Sequence, residues 1–223
     1  MTMSILPDAG LPGLSVIADD AVFVPALARA IADSGLASAR LSSVKIIRIR
    51  YRPGLRAILS VDLGFEGSDT KPKPASIWLH AGGKRRKPTV DGGQPASAAP
   101  ILEPLSGARI YLFPADPHVA ELARFVADPQ SHAGRLLPGN AGELYPPELV
   151  RFRPGLGATF RWPGQGRDAV YVKIQKGADA EQAVSALQTL RAAAAGHHFA
   201  VPEATGFDPG INAYAMRQVR GEI

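Results

Sequence analysis

One short pattern occurs twice in this chain. RYRPGLRAILSV, Arg50 to Val61, returns 101 residues later as RFRPGLGATFRW, Arg151 to Trp162, with Arg, Arg, Pro, Gly, Leu and Ala in register and Tyr51 matched to Phe152. A duplicated unit explains that match better than chance. Within each copy, Pro presets a turn dihedral and Gly supplies a positive φ, so Arg-Pro-Gly-Leu reads as a tight turn between two strands. Whatever fold the 223 residues adopt, it must hold two related small β units.

The remaining pattern fills in around the two turns. Asp19 to Gly35 puts Phe23, Leu27 and Ile31 on one face, with Asp at the start and Gly at the end, which predicts a first helix. Val44 to Tyr51 and Arg56 to Phe65 are β-rich runs that form a hairpin across Arg52 to Leu55, and ASIWLHA follows as a third strand. GGKRRKPTVDGGQPASAAP is too rich in Gly, Pro and Ser for regular structure. Two short strands around Ser106 and Gly107 come next, then a helix that Asp116 caps and Pro117 opens, then loop to about Pro147. The second copy runs as Leu149 to Arg153, Ala158 to Trp162, a turn at Pro163 to Gly166, and the strand Ala169 to Ile174. A helix from ADAEQ follows, stopped by Gly196, and a hairpin turns at Asp208-Pro209-Gly210. The fold class expected is α+β, two related small antiparallel sheets with flanking helices. The division expected is an N-terminal helical segment 1–42, a first sheet domain 43–146 and a second 147–223.

Composition narrows the function classes. Apolar residues make up 46% of the chain and mean hydropathy is close to zero, as in ordinary folded proteins. No apolar run reaches 18 residues and MTMSILPDAG lacks a basic start and apolar block, so the cytoplasm is the expected compartment, with no membrane partner. Zero cysteines remove disulfides, thiolate metal sites and cysteine nucleophiles. The net charge of +5 admits an anionic partner. The one dense basic run, Lys84 to Lys87, has no interleaved aromatics, which argues against a nucleic-acid surface.

The second copy also carries chemistry. A glycine-bearing turn, Gly155 and Gly157, is followed on the next strand by Lys173 and then by a helix with an early acid, Glu181. Kinase-like folds hold a nucleoside triphosphate with such a set: glycines let backbone approach phosphates, a strand lysine supplies a fixed charge, and a helix glutamate holds the lysine. Glu181, three residues before Val184, can share its sheet-facing side. The first copy has His80 in the corresponding strand and a Gly/Pro-rich loop in place of the helix. Each residue also has an ordinary account: a solvated strand lysine, a first-turn acid favoured by the helix dipole, glycines that a tight hairpin needs anyway. Arg50, Arg52, Arg151 and Arg153 alternate with apolar residues as one solvent-facing side of a strand does.

PELVRFRPGLGATFRW, AVYVKI, the ADAEQAVSALQTL helix and AYAMRQVRGE together resemble the N-terminal lobe of the aminoglycoside phosphotransferase family, a branch of the protein-kinase-like fold. The resemblance covers Pro147 to Ile223 and extends loosely back to about Val44, so that the second sheet resembles a kinase N-lobe and the first a degenerate copy. It implies that Lys173 meets the α and β phosphates, that Glu181 pairs with it, and that Met216, Gln218 and Val219 lie in the hinge facing adenine. It further implies ATP and Mg²⁺ as cofactors of the complete enzyme, and a small-molecule hydroxyl as acceptor. The family's catalytic loop, of the form HGDxxxxN, and its later metal-binding aspartate belong to a C-terminal lobe. HAGRLLPGN, His132 to Asn140, imitates the loop but has Gly134 and Arg135 where an aspartate is needed, and it precedes the lysine. The expectation is therefore an N-terminal portion, inactive alone, whose cut lobe favours self-association. The alternative is a complete non-catalytic module that binds a protein or an anion.

Overall fold

A computed structural model describes residues 8–35, 37–67, 71–81, 101–102, 108–138, 145–163, 169–177, 180–195 and 197–219. The chain divides into two compact units, Met1–Pro117 and His118–Ile223. Each contains one five-stranded antiparallel sheet, which bears out the expected fold class.

In the first unit, helices α1 (Gly13–Ile17) and α2 (Asp20–Ser34) precede strands β1 (Leu41–Arg52), β2 (Arg56–Phe65), β3 (Lys73–His80), β4 (Ile101–Leu102) and β5 (Ala108–Leu112). The strand order across the sheet is β1-β2-β3-β5-β4. Helix α2 begins where the Asp19 carboxylate accepts the Ala21 N–H and ends on Gly35 in the left-handed region, so the two signals that predicted it are its caps. Its stripe Phe23, Leu27 and Ile31 is buried with Leu59, Leu63, Ile77 and Ile110 of the sheet.

In the second unit, helices α3 (Glu121–Ala127) and α4 (Gln130–Leu136) precede β6 (Glu148–Arg153), β7 (Gly157–Trp162) and β8 (Val170–Gln175). Helix α5 (Ala180–Ala193) follows, then β9 (Ala204–Asp208), a 3₁₀ turn at Pro209–Ile211 and β10 (Ala213–Arg217). Strand order is β6-β7-β8-β10-β9, the pattern of the first sheet repeated.

The duplicated turns match bond for bond. Leu55 N–H donates to Arg52 C=O and Ala81 N–H to Leu55 C=O; Leu156 N–H donates to Arg153 C=O and Lys176 N–H to Leu156 C=O. Gly54 and Gly155 have φ of 65° and 68°, as the third position of a Pro-Gly type II turn demands. In the first copy the Asp8 carboxylate accepts from Gly54 N–H and Tyr51 O–H, and those bonds hold its pKa below 3.8. Phe152 has no hydroxyl with which to make the second of those bonds.

The repeat is larger than the sequence match suggests. Residues directly paired across strands share a face, so Ala158, Phe160, Trp162, Val172 and Ile174 line one side of the second sheet, as Ala57, Leu59, Val61, Ile77 and Leu79 do in the first. Helices α1 and α2 cover that side of sheet one. Phe125 of α3 meets the Phe160 ring at 4.8 Å and Trp162 edge-on at 6.0 Å on the same side of sheet two. Each unit is thus a pair of helices followed by a five-stranded sheet, with α5 inserted between β8 and β9 in the second.

Three expectations are corrected by this arrangement. The helical segment 1–42 is no separate domain, because Leu14, Phe23 and Leu27 share a core with the first sheet; the boundary falls at Pro117 instead of 146, because α3 and α4 pack on the second. The helix placed after Pro117 starts at Glu121, and Asp116 is buried instead of capping it. The stretch read as loop contains α4, which holds His132 and Arg135. The basic run Lys84 to Lys87, the residues Gly164 to Gly166, Gly196 and the Ser106-Gly107 turn lie outside the described residues.

Candidate functional site

Lys173 sits in β8, the central strand of the second sheet, paired with Thr159 of β7 on one side and Tyr214 of β10 on the other. The run VYVKIQ alternates because one face of this strand is packed by the α3 and α4 layer while the other is shared with α5. Val172 and Ile174 are fully buried on the first face, and Tyr171, Lys173 and Gln175 are partly exposed on the second. The Lys173 ammonium lies over the Tyr214 ring at 5.8 Å, and the Tyr214 hydroxyl accepts from the Gln175 amide at 3.0 Å. A cation–π contact at such a partly open site is worth about 0.5–1 kcal/mol. A charge-assisted hydrogen bond to an anionic oxygen is worth about 1.5–3 kcal/mol, so an arriving phosphate outbids the ring.

Helix α5 is seated beside this strand by one residue. Asn212, at φ 46° in the β9–β10 turn, donates from its amide to Gln175 C=O at 2.6 Å and accepts Ala180 N–H at 3.1 Å. It ties the end of β8 to the start of α5. Asn212→Gly keeps the left-handed backbone while removing both side-chain bonds, so its cost isolates them: about 1–2 kcal/mol, read as earlier exchange of the α5 amides. Exchange unchanged in that variant would mean that α5 is held by its apolar contacts alone.

Those contacts come from Ala180 and Val184, with Ala183 and Leu187, packed on Tyr171, Tyr214, Met216 and Phe207. Glu181 stands one residue off that stripe. It is exposed instead of facing the sheet as its spacing from Val184 suggested, and among the described residues no ion pair joins it to Lys173. Met216 is buried against α5, whereas Gln218 and Val219 are exposed beyond the end of β10, with Gln218 N–H donated to Ala169 C=O at 2.9 Å.

Both glycines serve the protein's own backbone. Gly155 supplies the left-handed turn position. Gly157, at φ 135°, pairs with Gln175, and a Cβ there would lie 1.9 Å from Ile174 C=O. The room its hydrogen leaves is filled by the neighbouring strand.

Position by position, the two sheets differ where Lys173 stands. Counting from the shared turns, Thr159 and Lys173 correspond to Ile58 and Trp78, and His80 corresponds to Gln175. The expectation that His80 replaces the lysine is off by two residues, because the third strands are connected to their turns by chain of different length. The first unit therefore has a buried tryptophan, hydrogen-bonded to buried Ser76, at the lysine position.

A second cluster escaped the sequence reading. Asp208 is fully buried and receives His132 Nδ1 at 2.8 Å, Arg135 at 3.0 Å and Gly210 N–H at 2.9 Å. Burial alone raises its pKa, but the bonds from His132, Gly210 and Arg135 outweigh that and leave it below 3.8. The hint available was His and Arg three apart, one helix face, and an Asp opening an Asp-Pro-Gly turn. The string that imitates a catalytic loop is in fact a structural clamp.

The residues present suit a phosphate better than a metal. Lys173, with Thr159 beside it, can meet anionic oxygens, whereas no group of three or more His, Asp or Glu able to hold a cation occurs among the described residues. Among them, too, no helix is long and apolar enough to cross a membrane. No family model, curated protein or solved structure matches the chain.

Proposed function

We propose that residues 147–223 are a nucleotide-binding lobe of the aminoglycoside-phosphotransferase type, and that the chain is the N-terminal portion of a small-molecule kinase. The complete enzyme would transfer a phosphoryl group from ATP, with Mg²⁺, to a hydroxyl acceptor. The observation that carries this reading is Lys173: a half-buried ammonium on the central strand, in line with a turn-bearing hairpin and on the face that α5 shares. In kinases the triphosphate lysine also comes from the third strand after a glycine-rich turn and precedes the helix bearing its glutamate. Glu181 is exposed on the first turn of α5, so the neighbour that positions the Lys173 ammonium is the Tyr214 ring. With no carboxylate cluster to hold a metal among the described residues, this chain by itself is expected to bind nucleotide weakly and not to turn it over.

Titration of the whole chain with ATP tests the proposal, read by calorimetry. Lys173→Ala is expected to weaken ATP about tenfold or more, the loss of one charge-assisted bond, while Glu181→Gln changes it less. Equal affinity in wild type and Lys173→Ala would remove the lysine from its role. The absence of a Lys173–Glu181 pair specifically favours a second reading, a non-catalytic anion-binding module; under it, inorganic anions bind as tightly as ATP and Glu181→Gln has no effect.

A further inference from the structure

We infer that Arg151 is a second phosphate ligand, which together with Lys173 holds the triphosphate of a nucleotide across β6, β7 and β8 of the second sheet; the inference rests on the nucleotide reading above. Arg151 pairs with Thr159, and Thr159 with Lys173. Directly paired residues share a face, so the three form one row. Arg151 and Lys173 are separated by two strand spacings, about 10 Å between Cα atoms, with the Thr159 hydroxyl between them.

The packing of α5 is concentrated on the other half of this face: it lies on β9 and β10 through Tyr214, Met216, Ala204 and Phe207. Arg151 is exposed and Thr159 and Lys173 are partly so. Among the described residues no carboxylate pairs with Arg151 or Lys173, whereas Arg161, one row further along, is paired with Glu148 at 3.6 Å. Two unneutralised cations flanking a hydroxyl complement an extended polyanion, and a guanidinium can take two phosphate oxygens at once. In the first unit the same row reads Arg50, Ile58, Trp78, with the last two apolar and buried. The arginine occurs in both copies, but only the second surrounds it with groups that can meet a phosphate.

The full chain is titrated with ATP, AMP and inorganic tripolyphosphate. Arg151→Ala is expected to weaken ATP about tenfold or more and to leave AMP unchanged, with Arg151→Lys intermediate because it keeps the charge and loses the fork. Arg124→Ala, in α3 on the opposite face, is the control and leaves ATP binding as in wild type. If Lys173→Ala weakens ATP while Arg151→Ala does not, the inference fails and the nucleotide reading stands. If neither matters, or the wild type does not bind ATP, both fail. An equal loss for AMP and ATP in Arg151→Ala would also overturn it, since the arginine would then act elsewhere than on the phosphate chain. Tripolyphosphate bound as tightly as ATP would overturn the nucleotide as occupant.

Discussion

Gly157→Ala is expected to cost the second unit about 3–5 kcal/mol, combining strained positive φ with forced overpacking. The added Cβ would stand 1.9 Å from Ile174 C=O and 3.0 Å from Gln175 Cα. Both are backbone atoms, so no side chain can rotate away. Either β7 separates from β8 at its first pair or the pair shifts, and a one-residue shift would turn Phe160 and Trp162 out of the core. A domain of this size has only about 5–15 kcal/mol in total. Each unit contains one of the chain's two tryptophans, Trp78 and Trp162, so Trp78→Phe makes fluorescence a report on the second unit alone. In that background the urea midpoint should fall steeply for Gly157→Ala. Gly54→Ala in the first unit, followed through Trp78 in a Trp162→Phe background, is the contrast: its φ is 65° but nothing lies within 4 Å of the added atom, so only the backbone cost of about 1–2 kcal/mol remains. Comparable midpoints for Gly157→Ala and its parent would show that β7 and β8 can move apart freely.

The same pair of positions explains what was legible in the sequence. Turns and caps were, because their requirements are local: Pro-Gly at 53–54 and 154–155 demands a positive φ, and Asp19 and Gly35 bracket α2. The alternation of β8 was, because Val172 and Ile174 are buried while Tyr171, Lys173 and Gln175 stay partly exposed, whereas β3 buries Ala75 to Leu79 in one run and so shows no such period. Misread were the features that depend on partners distant in sequence. Helix α4 is only seven residues long, includes Gly134 and buries just Leu136 in full, so its periodicity is faint; it is held by Thr205 O–H donated to Leu136 C=O and by the Asp208 clamp. Domain boundaries followed the repeat match, which covers the turns but not the helix pairs, since helices that only need an apolar stripe diverge freely while a type II turn does not. In the candidate site, Lys173 was legible from its strand and turn. Its register is not: the strand pattern alone sets His80 opposite it, and only the hydrogen-bonded pairs identify Trp78 as the counterpart. A spacing of three to Val184 predicts an inward Glu181, but Ala180 and Val184, four apart, are the residues that face the sheet.

Removing the carboxylate at Asp208 should be the next most costly change, about 2–4 kcal/mol, for a buried charge whose three donors lose their acceptor together. The figure is held below that of a fully buried ion pair because the Arg135 side chain is 67% exposed and can turn to water. His132 and Gly210 N–H cannot follow so easily. The clamp joins α4 to the turn between β9 and β10, close to where a Cβ on Gly206 would strike Arg135 C=O at 2.1 Å, so Asp208→Ala should release α4 from the sheet and raise amide exchange over 130–136. Asp208 also sets an acid limit. Its folded pKa lies below the unfolded 3.8, so its contribution is fully present above about pH 3.8 and is lost as pH falls through the folded value. Asp208→Asn, which keeps the shape and one acceptor but no charge, should therefore be less stable than wild type at neutral pH, and the gap should narrow on titration to pH 2. A gap that stays constant over that range would mean the carboxylate gains nothing in the folded state from His132 and Arg135, and that α4 is fastened by its close backbone contact with β9 instead.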